Sequence, residues 1–328
     1  MKRKAPLVDL SGKTLPVDIR LRASRVTQKT IDQYSVQISA FHSWAAQHRC
    51  RVTTSSLDRL VVRYLTHLFE HDGAEPRVGA YLIYGLQLLK CTVPKALYLP
   101  NAKEALASWR KQKPGSMQLP VPEEIIFDVA MHIGLRRLDI FCLVMLQFDA
   151  CLRPSEALNL TSEHVVHPAG PRYSRWGLIL QLAELRERSK TGKSDDSVLV
   201  GDLKERRWMH KVMEYLMKNC RGKLFPGVTL AQYENQLRQA SEQLEYSAVV
   251  LLPHIIRHSS ASNDIYHRRR DLRSVQKRGR WMARSSVSRY EKHGLLQRAW
   301  KFVAPHRKQQ VQKSGKHLVS FLNTRLAV

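Results

Sequence analysis

Residues 254–294, HIIRHSSASNDIYHRRRDLRSVQKRGRWMARSSVSRYEKHG, are rich in arginine and lysine, yet they also hold a His-x-x-Arg pair, a tryptophan and, near the end, a tyrosine. A patch that only gripped a polyanion would need none of these. His254 and Arg257 are three residues apart, so on a helix they share a face. Trp281 supplies an indole N–H that keeps its proton at neutral pH. Tyr290, nine residues later, supplies a phenol suited to in-line attack. Upstream, Arg153 follows a long apolar run directly, so its guanidinium emerges from a rigid core, with Glu156 three residues on to orient it. Lys190, in RSKTGKS, is a donor for a leaving oxygen, with Lys193 close behind.

Two arginines, a base, an acid, a further donor and a nucleophilic hydroxyl form the inventory that phosphoryl transfer needs when no metal holds the charge. The transition state spreads negative charge over non-bridging oxygens, and paired guanidiniums are the side chains best suited to hold it. Other chemistries find no support. The sequence has no G-x-x-x-x-G-K-[ST], no G-x-G-x-x-G, no H-E-x-x-H and no Cys/His cluster. Carboxylates are scarce in the basic half and do not pair as two-metal nucleases require. Neither a metal nor a cofactor is expected.

The bulk composition agrees on the kind of partner. The 328 residues suggest about two domains at roughly 150 residues each. Fifty-four Lys+Arg against 28 Asp+Glu leave a formal charge of +26, which points to a polyanion, most simply double-stranded DNA or RNA. A ribosome-type or membrane-surface protein with a positive coat is the bland alternative. An RNA reader is favoured by charge alone, since no aromatics group as on an RNA-binding sheet. The cysteines, Cys50, Cys91, Cys142, Cys151 and Cys220, are odd in number with no C-x-x-C pair, so a reducing compartment is expected. MKRKAPLVDL is basic without an apolar h-region, and no segment approaches 18 apolar residues. The chain reads as intracellular and DNA-associated, in the nucleus of a eukaryote or otherwise in the cytoplasm or nucleoid, without a membrane partner.

The elements that must position these residues are mainly α, with a small antiparallel β-hairpin, an α+β class. Ile31, Tyr34, Ile38, Phe41 and Ala45 recur at helical spacing from Thr27 to about His48, and Leu57 to Leu68 repeat the pattern behind Ser55-Ser56. Further helices are expected over 77–90 and 103–111. QKPGSMQLPVP breaks any helix, so residues 1–111 form a helical domain, 112–122 a linker and 123–298 a second domain. In that domain WGLILQL and SVLV are expected as strands, joined by a polar connection carrying Lys190 and Lys193. Helices resume over 203–219, 229–246, 253–263 and 271–279. Residues 299–328 are expected as a basic tail with one apolar patch at 317–322. Trp44, Trp109, Trp208 and Trp300 read as packing residues, and His258 faces either the site or the core.

Four separated motifs together resemble the tyrosine recombinases of phage-integrase type. ACLRPSEALNL is similar to that family's first-arginine motif, PHIIRHS to its His-x-x-Arg box, and RGRWMARSSVSRY to its closing segment, in which a Gly-x-[His/Trp] precedes the tyrosine by nine residues. The separations, 257−153 = 104, 281−257 = 24 and 290−281 = 9, fall in the family's range. The Arg-Gly-Arg-Trp context and the basicity resemble crypton-type and other mobile-element members. The likeness covers about residues 120–295; the N-terminal domain resembles the core-binding domain in size, helical content and position. The resemblance implies a 3′-phosphotyrosyl link on Tyr290, with Arg153, Arg257 and Trp281 on the phosphate, His254 as base or further donor and Lys190 protonating the 5′-oxygen. Trp281 stands where histidine is commoner. It also implies duplex DNA as partner and a homo-oligomeric synaptic tetramer. Arg268, Arg269, Arg270, Arg273, Lys277, Arg278 and Arg280 are expected to face DNA, with a nuclear-localisation signal as a weaker reading of Arg268–Arg270. A type IB topoisomerase-like enzyme and a domesticated, non-catalytic DNA-binding protein are the alternatives.

Overall fold

A computed structural model of the chain describes residues 7–8, 12–89, 98–115, 119–185, 187, 194–291 and 294–326. The chain divides into two compact units, Met1–Met117 and Gln118–Val328.

Unit 1 is helical among the described residues: α1 (Val17–Ala23), α2 (Gln28–Gln47), α3 (Leu57–Glu70), α4 (Pro76–Leu89) and α5 (Pro100–Gln112). The apolar stripe of α2 buries Ile31, Tyr34, Ile38 and Phe41 and packs on α4, while α3 packs on α5. Thr27 caps α2, its Oγ1 accepting from the Thr30 N–H at 3.3 Å. Ser56 stands at the N-terminus of α3, but its hydroxyl serves the preceding turn, bonding to Thr53 and the Arg51 carbonyl. Helix α1 has no sequence counterpart in the expectations: it is short, and only Ile19 and Ala23 of it reach the cluster of Leu15, Ile31, Tyr34 and Leu88.

Unit 2 is built around α7. Its helices are α6 (Glu123–Gly134), α7 (Leu138–Asp149) and α8 (Pro154–Leu158); the strands β1 (Val165–Val166), β2 (Trp176–Leu180) and β3 (Asp196–Val200) follow, then α9 (Met209–Asn219), α10 (Leu230–Gln243), α11 (Pro253–Tyr266), α12 (Leu272–Arg278), α13 (Gly294–Lys301), α14 (Pro305–Gln312) and α15 (Ser314–Arg325). Every residue of α7 from Ile140 to Asp149 is buried, as the apolar run Ile140–Leu146 demands, with Gln147 and Asp149 as buried polar members. The sheet is antiparallel in the order β1-β2-β3, with Leu178 opposite both Val165 and Val198. Trp176, Leu178 and Leu180 alternate into the core. Strand β1, at two residues, is too short for a period to show.

Two segments are more structured than their sequence indicates. The segment read as a linker begins inside α5 and ends in the core of unit 2. There Val121 is buried, its N–H donates to Ser259 Oγ at 2.8 Å, and its carbonyl accepts from Asn263 Nδ2 at 2.8 Å. The basic tail is ordered: α14 and α15 pack on α6, and Val311, Leu318 and Leu322 join the main core. Its few apolar residues make a helical face only once α6 is there to receive them. No helix among the described residues is long and apolar enough to cross a membrane.

Candidate active site

The chain leaves α7 at Asp149, and Cys151 takes a left-handed φ of 50° that turns it into α8. Arg153 is the residue before Pro154, so its backbone is extended rather than helical. Glu156, one turn on, is a hub. Its Oε2 accepts from the Arg153 N–H at 2.7 Å and from Arg280 Nη2 at 2.6 Å, and its Oε1 accepts from Arg153 Nη1 at 2.5 Å. Arg257 Nη1 stands 3.7 Å from Oε2. Burial alone pushes the Glu156 carboxyl up, but Arg280, the Arg153 N–H, Arg153 and Arg257 together hold it below its ordinary value.

Arg257 lies on α11 and is 4% exposed. Its Nη1 donates to the Cys151 carbonyl at 2.7 Å and its Nη2 to the Gly279 carbonyl. The guanidinium carbon sits 4.7 Å from the centre of the Trp281 ring, a cation–π contact. Trp281 reaches this position by folding over Gly279, where a Cβ would stand 1.8 Å from the indole. No residue but glycine fits there. Trp281 also meets Tyr290, ring centres 5.0 Å apart. Tyr290 is 5% exposed, on a 3₁₀ turn over Ser288–Glu291, within a small cluster of Ala261, Val275 and Val287. Its hydroxyl and His258 Nδ1 share a hydrogen bond of 2.5 Å.

The structure therefore brings Arg153, Glu156, Arg257, Trp281 and Tyr290 into one cluster. His254 is exposed in the first turn of α11. His258, one residue past Arg257, holds the tyrosine; the only sequence signal for it was its place beside that arginine. Lys190 and Lys193 lie outside the described residues. The base of their connection is described. Glu187 Oε2 accepts from the Leu182 N–H at 3.2 Å and pairs with the buried His164 at 2.9 Å, while the Ala183 N–H donates to Asp195 Oδ1.

The expected DNA-facing arginines divide. Arg269 binds both oxygens of Glu123 at 2.6 Å, and Arg270 bridges Asp264 (2.5 Å) and Asp202. Arg278 donates to the carbonyl of Asp149 at 2.7 and 2.9 Å and reaches its carboxylate at 3.3 Å. Arg280 is held by Glu156. These four are internal ion-pair members, not a solvated face, because stranding a buried carboxylate would be more costly than any exposed contact could offset. Arg268, Arg273 and Lys277 are exposed. Arg273 and Lys277, with Arg280, Trp281, Met282, Asp195 and Asp196, line a cavity of about 630 Å³.

A member with no sequence signal completes the internal set. Arg206 is 1% exposed, 2.6 Å from Asp264, 3.6 Å from Glu123 and 3.9 Å from Asp149, and lies over the Phe148 ring. Among the described residues Glu123, Glu124 and His267 are close enough to share a cation. Both Glu123 oxygens already hold Arg269, which leaves that group without a free third ligand.

No protein-family model and no curated protein matches this sequence. Among solved structures the chain is similar to the XerH site-specific recombinase bound to palindromic difH substrate in a post-cleavage complex, at 15% identity over 88% of this chain and 82% of that one, with a TM-score of 0.53. It is also similar to XerH bound to difH in a pre-cleavage complex, at 13% identity over 90% and 84%, with a TM-score of 0.52. The likeness is one of fold: this chain is mainly α with a small antiparallel sheet, arranged similarly to those two structures.

Proposed function

We propose that this protein cleaves and rejoins DNA strands in site-specific recombination, with Tyr290 as nucleophile. An unbalanced charge carries the reading. Arg153, Arg257 and Arg280 gather on the single carboxylate of Glu156, three cations against one anion, and Arg257 lies over the Trp281 ring, which itself meets the ring of Tyr290. A phosphodiester attacked by a phenolate passes through a phosphorane bearing two negative charges, which equals that excess, 3 − 1 = 2.

In this reading the Tyr290 oxygen forms the new bond to phosphorus as the bond to the 5′-oxygen breaks. The phenolic proton passes to His258, already hydrogen-bonded to it. The 5′-oxygen takes a proton from Lys190. Arg153 and Arg257 hold the non-bridging oxygens, Trp281 adds a hydrogen bond, and His254 on the same helix serves as a further donor. The phosphotyrosyl ester conserves the energy of the broken bond, so rejoining is the reverse reaction and needs neither nucleotide nor metal. Both units take duplex DNA, with Arg268, Arg273 and Lys277 among the backbone contacts, and protomers pair two sites in a synaptic tetramer of the mobile-element type.

The test is covalent capture on supercoiled plasmid and nicked duplexes, denatured in detergent without Mg²⁺. A protein–DNA adduct is expected from the native chain and from neither Tyr290→Phe nor Arg257→Ala. An adduct that survives Tyr290→Phe removes the tyrosine from its role. Tight binding without an adduct across a diverse DNA pool identifies a non-catalytic binder with this fold, and relaxation without pairing of two sites identifies a topoisomerase-like enzyme.

A further inference from the structure

The sheet of unit 2 has two faces, and only one of them belongs to the core. Trp176, Leu178 and Leu180 point inward, so Gly177 and Ile179 point outward. The cross-strand register sets Val166, Gly177 and Leu199 in one outer row and Ile179 beside Ser197 in the next. An antiparallel sheet with one face on the core ordinarily turns polar side chains to water on the other. Here only Ser197 of the two rows is polar, and Val166 and Leu199 are 44% and 49% exposed.

Gly177 makes the first row a groove. Its backbone is not left-handed, and a Cβ there would touch only the Val166 side chain, at 3.4 and 3.9 Å. The fold therefore admits a larger residue at this position, and that residue would gain strand propensity. What glycine leaves instead is a hollow between Val166 and Leu199, in a groove of about 610 Å³. The rim is a loop over 167–175 that closes on itself. The Ala169 N–H donates to the Tyr173 carbonyl at 2.8 Å and the Tyr173 N–H to that of Gly170 at 3.2 Å. Tyr173 stands out from it at 73% exposure, and Arg172 and Arg175 are exposed beside it. No residue lining the groove is acidic. An exposed apolar patch with a polar rim marks a protein interface, and tyrosine and arginine are the residue types that anchor one.

We infer that this face docks a protein partner through an acidic segment, an apolar side chain of the partner filling the Gly177 hollow and flanking carboxylates meeting Arg172 and Arg175. The floor speaks against nucleic acid, because Val166, Ile179 and Leu199 offer phosphate no donor and would strip its water. Charge speaks against a second copy of this chain, which would bring a net +26 to two arginines.

The full chain, mixed with an excess of mixed-sequence duplex DNA to occupy its other basic surfaces, is used to select from a display library of random peptides. The enriched peptides are expected to carry Asp or Glu around a Leu, Ile or Phe. Made with a fluorescent label, they are expected to bind Gly177→Val and Arg172→Glu/Arg175→Glu about tenfold more weakly than the native chain. Gly177→Val is expected to unfold no lower than the native protein, which separates a filled hollow from a damaged fold, and to bind duplex DNA as before. An absence of enrichment, or peptides that bind all three proteins alike, would overturn the site. So would a loss of duplex affinity in Gly177→Val with peptide binding intact, which makes the face a nucleic-acid surface. A lower solution mass of Gly177→Val than of the native chain would make it a contact between copies instead.

Discussion

Two sets of arginines in unit 2 come from overlapping stretches of sequence and meet opposite conditions. Around Glu156, Arg153, Arg257 and Arg280 share one carboxylate. Around Arg206, the guanidiniums of Arg206, Arg269, Arg270 and Arg278 meet the carboxyls of Glu123, Asp149, Asp202 and Asp264, four against four. The second set closes on itself and holds the ends of α6, α7, α11 and α12 together. The first leaves charge over. A guanidinium matched to its own buried carboxylate is committed to the fold; in the function proposed above, the charge left over in the first set is what meets the phosphate.

The contrast can be broken by substitution. Arg206→Leu strands Asp264 and Asp149 in the core and is expected to cost about 3–5 kcal/mol of stability. A denaturation midpoint equal to the native one would dissolve the distinction. Arg153→Ala should do the reverse. Strand cleavage is expected to fall about 10²–10³-fold, while stability shifts by only about 1 kcal/mol, because Glu156 keeps Arg280 at 2.6 Å and Arg257 at 3.7 Å as partners. Arg153→Lys is expected to restore only part of the rate, since a point charge cannot span two oxygens. Gly279→Ala forces a Cβ into the Trp281 ring and should cost about 1–3 kcal/mol and displace the indole from Arg257; a native-like adduct yield would show that Trp281 has another seat.

The smallest effect concerns pH. Glu156 is held below its ordinary value of 4.5, so its contribution to stability is fully present above pH 4.5 and is lost as pH falls through the folded value. The stability difference between native and Glu156→Gln proteins should therefore shrink on acidification. Asp149, in the closed set, is shifted the other way: burial raises it against the pull of Arg278 and Arg206. Its contribution is greatest in acid and is lost as pH rises from 3.8 through the folded value. Unfolding curves of Glu156→Gln and Asp149→Asn taken across this range should differ in the sign of their pH dependence.

Much of the architecture was legible because it depends on local pattern. The period of α2 and α3, the apolar run Ile140–Leu146 of α7 and the alternation of β2 are properties of neighbouring residues. The three-residue step from Arg153 to Glu156 was legible for the same reason. The partners of the other arginines were not. Arg269 finds Glu123 and Arg278 finds Asp149 across 146 and 129 residues of sequence, and no periodicity encodes such a meeting. Those two read as a DNA-facing run because a charged residue looks solvated until its partner is known. Helices α14 and α15 were read as tail because their apolar positions are sparse and become a face only against α6. His258 and His254 both flank Arg257, and only the seat of Tyr290 distinguishes them.

The hydrogen bonds at the start of unit 2 have a mechanical consequence. Val121 is tied to Ser259 and Asn263, and the Glu123 N–H to Asn263 Oδ1 at 3.1 Å. Both anchors are side chains of α11, the helix that carries Arg257 and His258. Tension along the strand of chain entering the unit is thus borne first by that helix, at points two and six residues beyond Arg257. The incoming chain acts as a tether on the helix that carries Arg257 and His258, and a tug there is passed to both side chains.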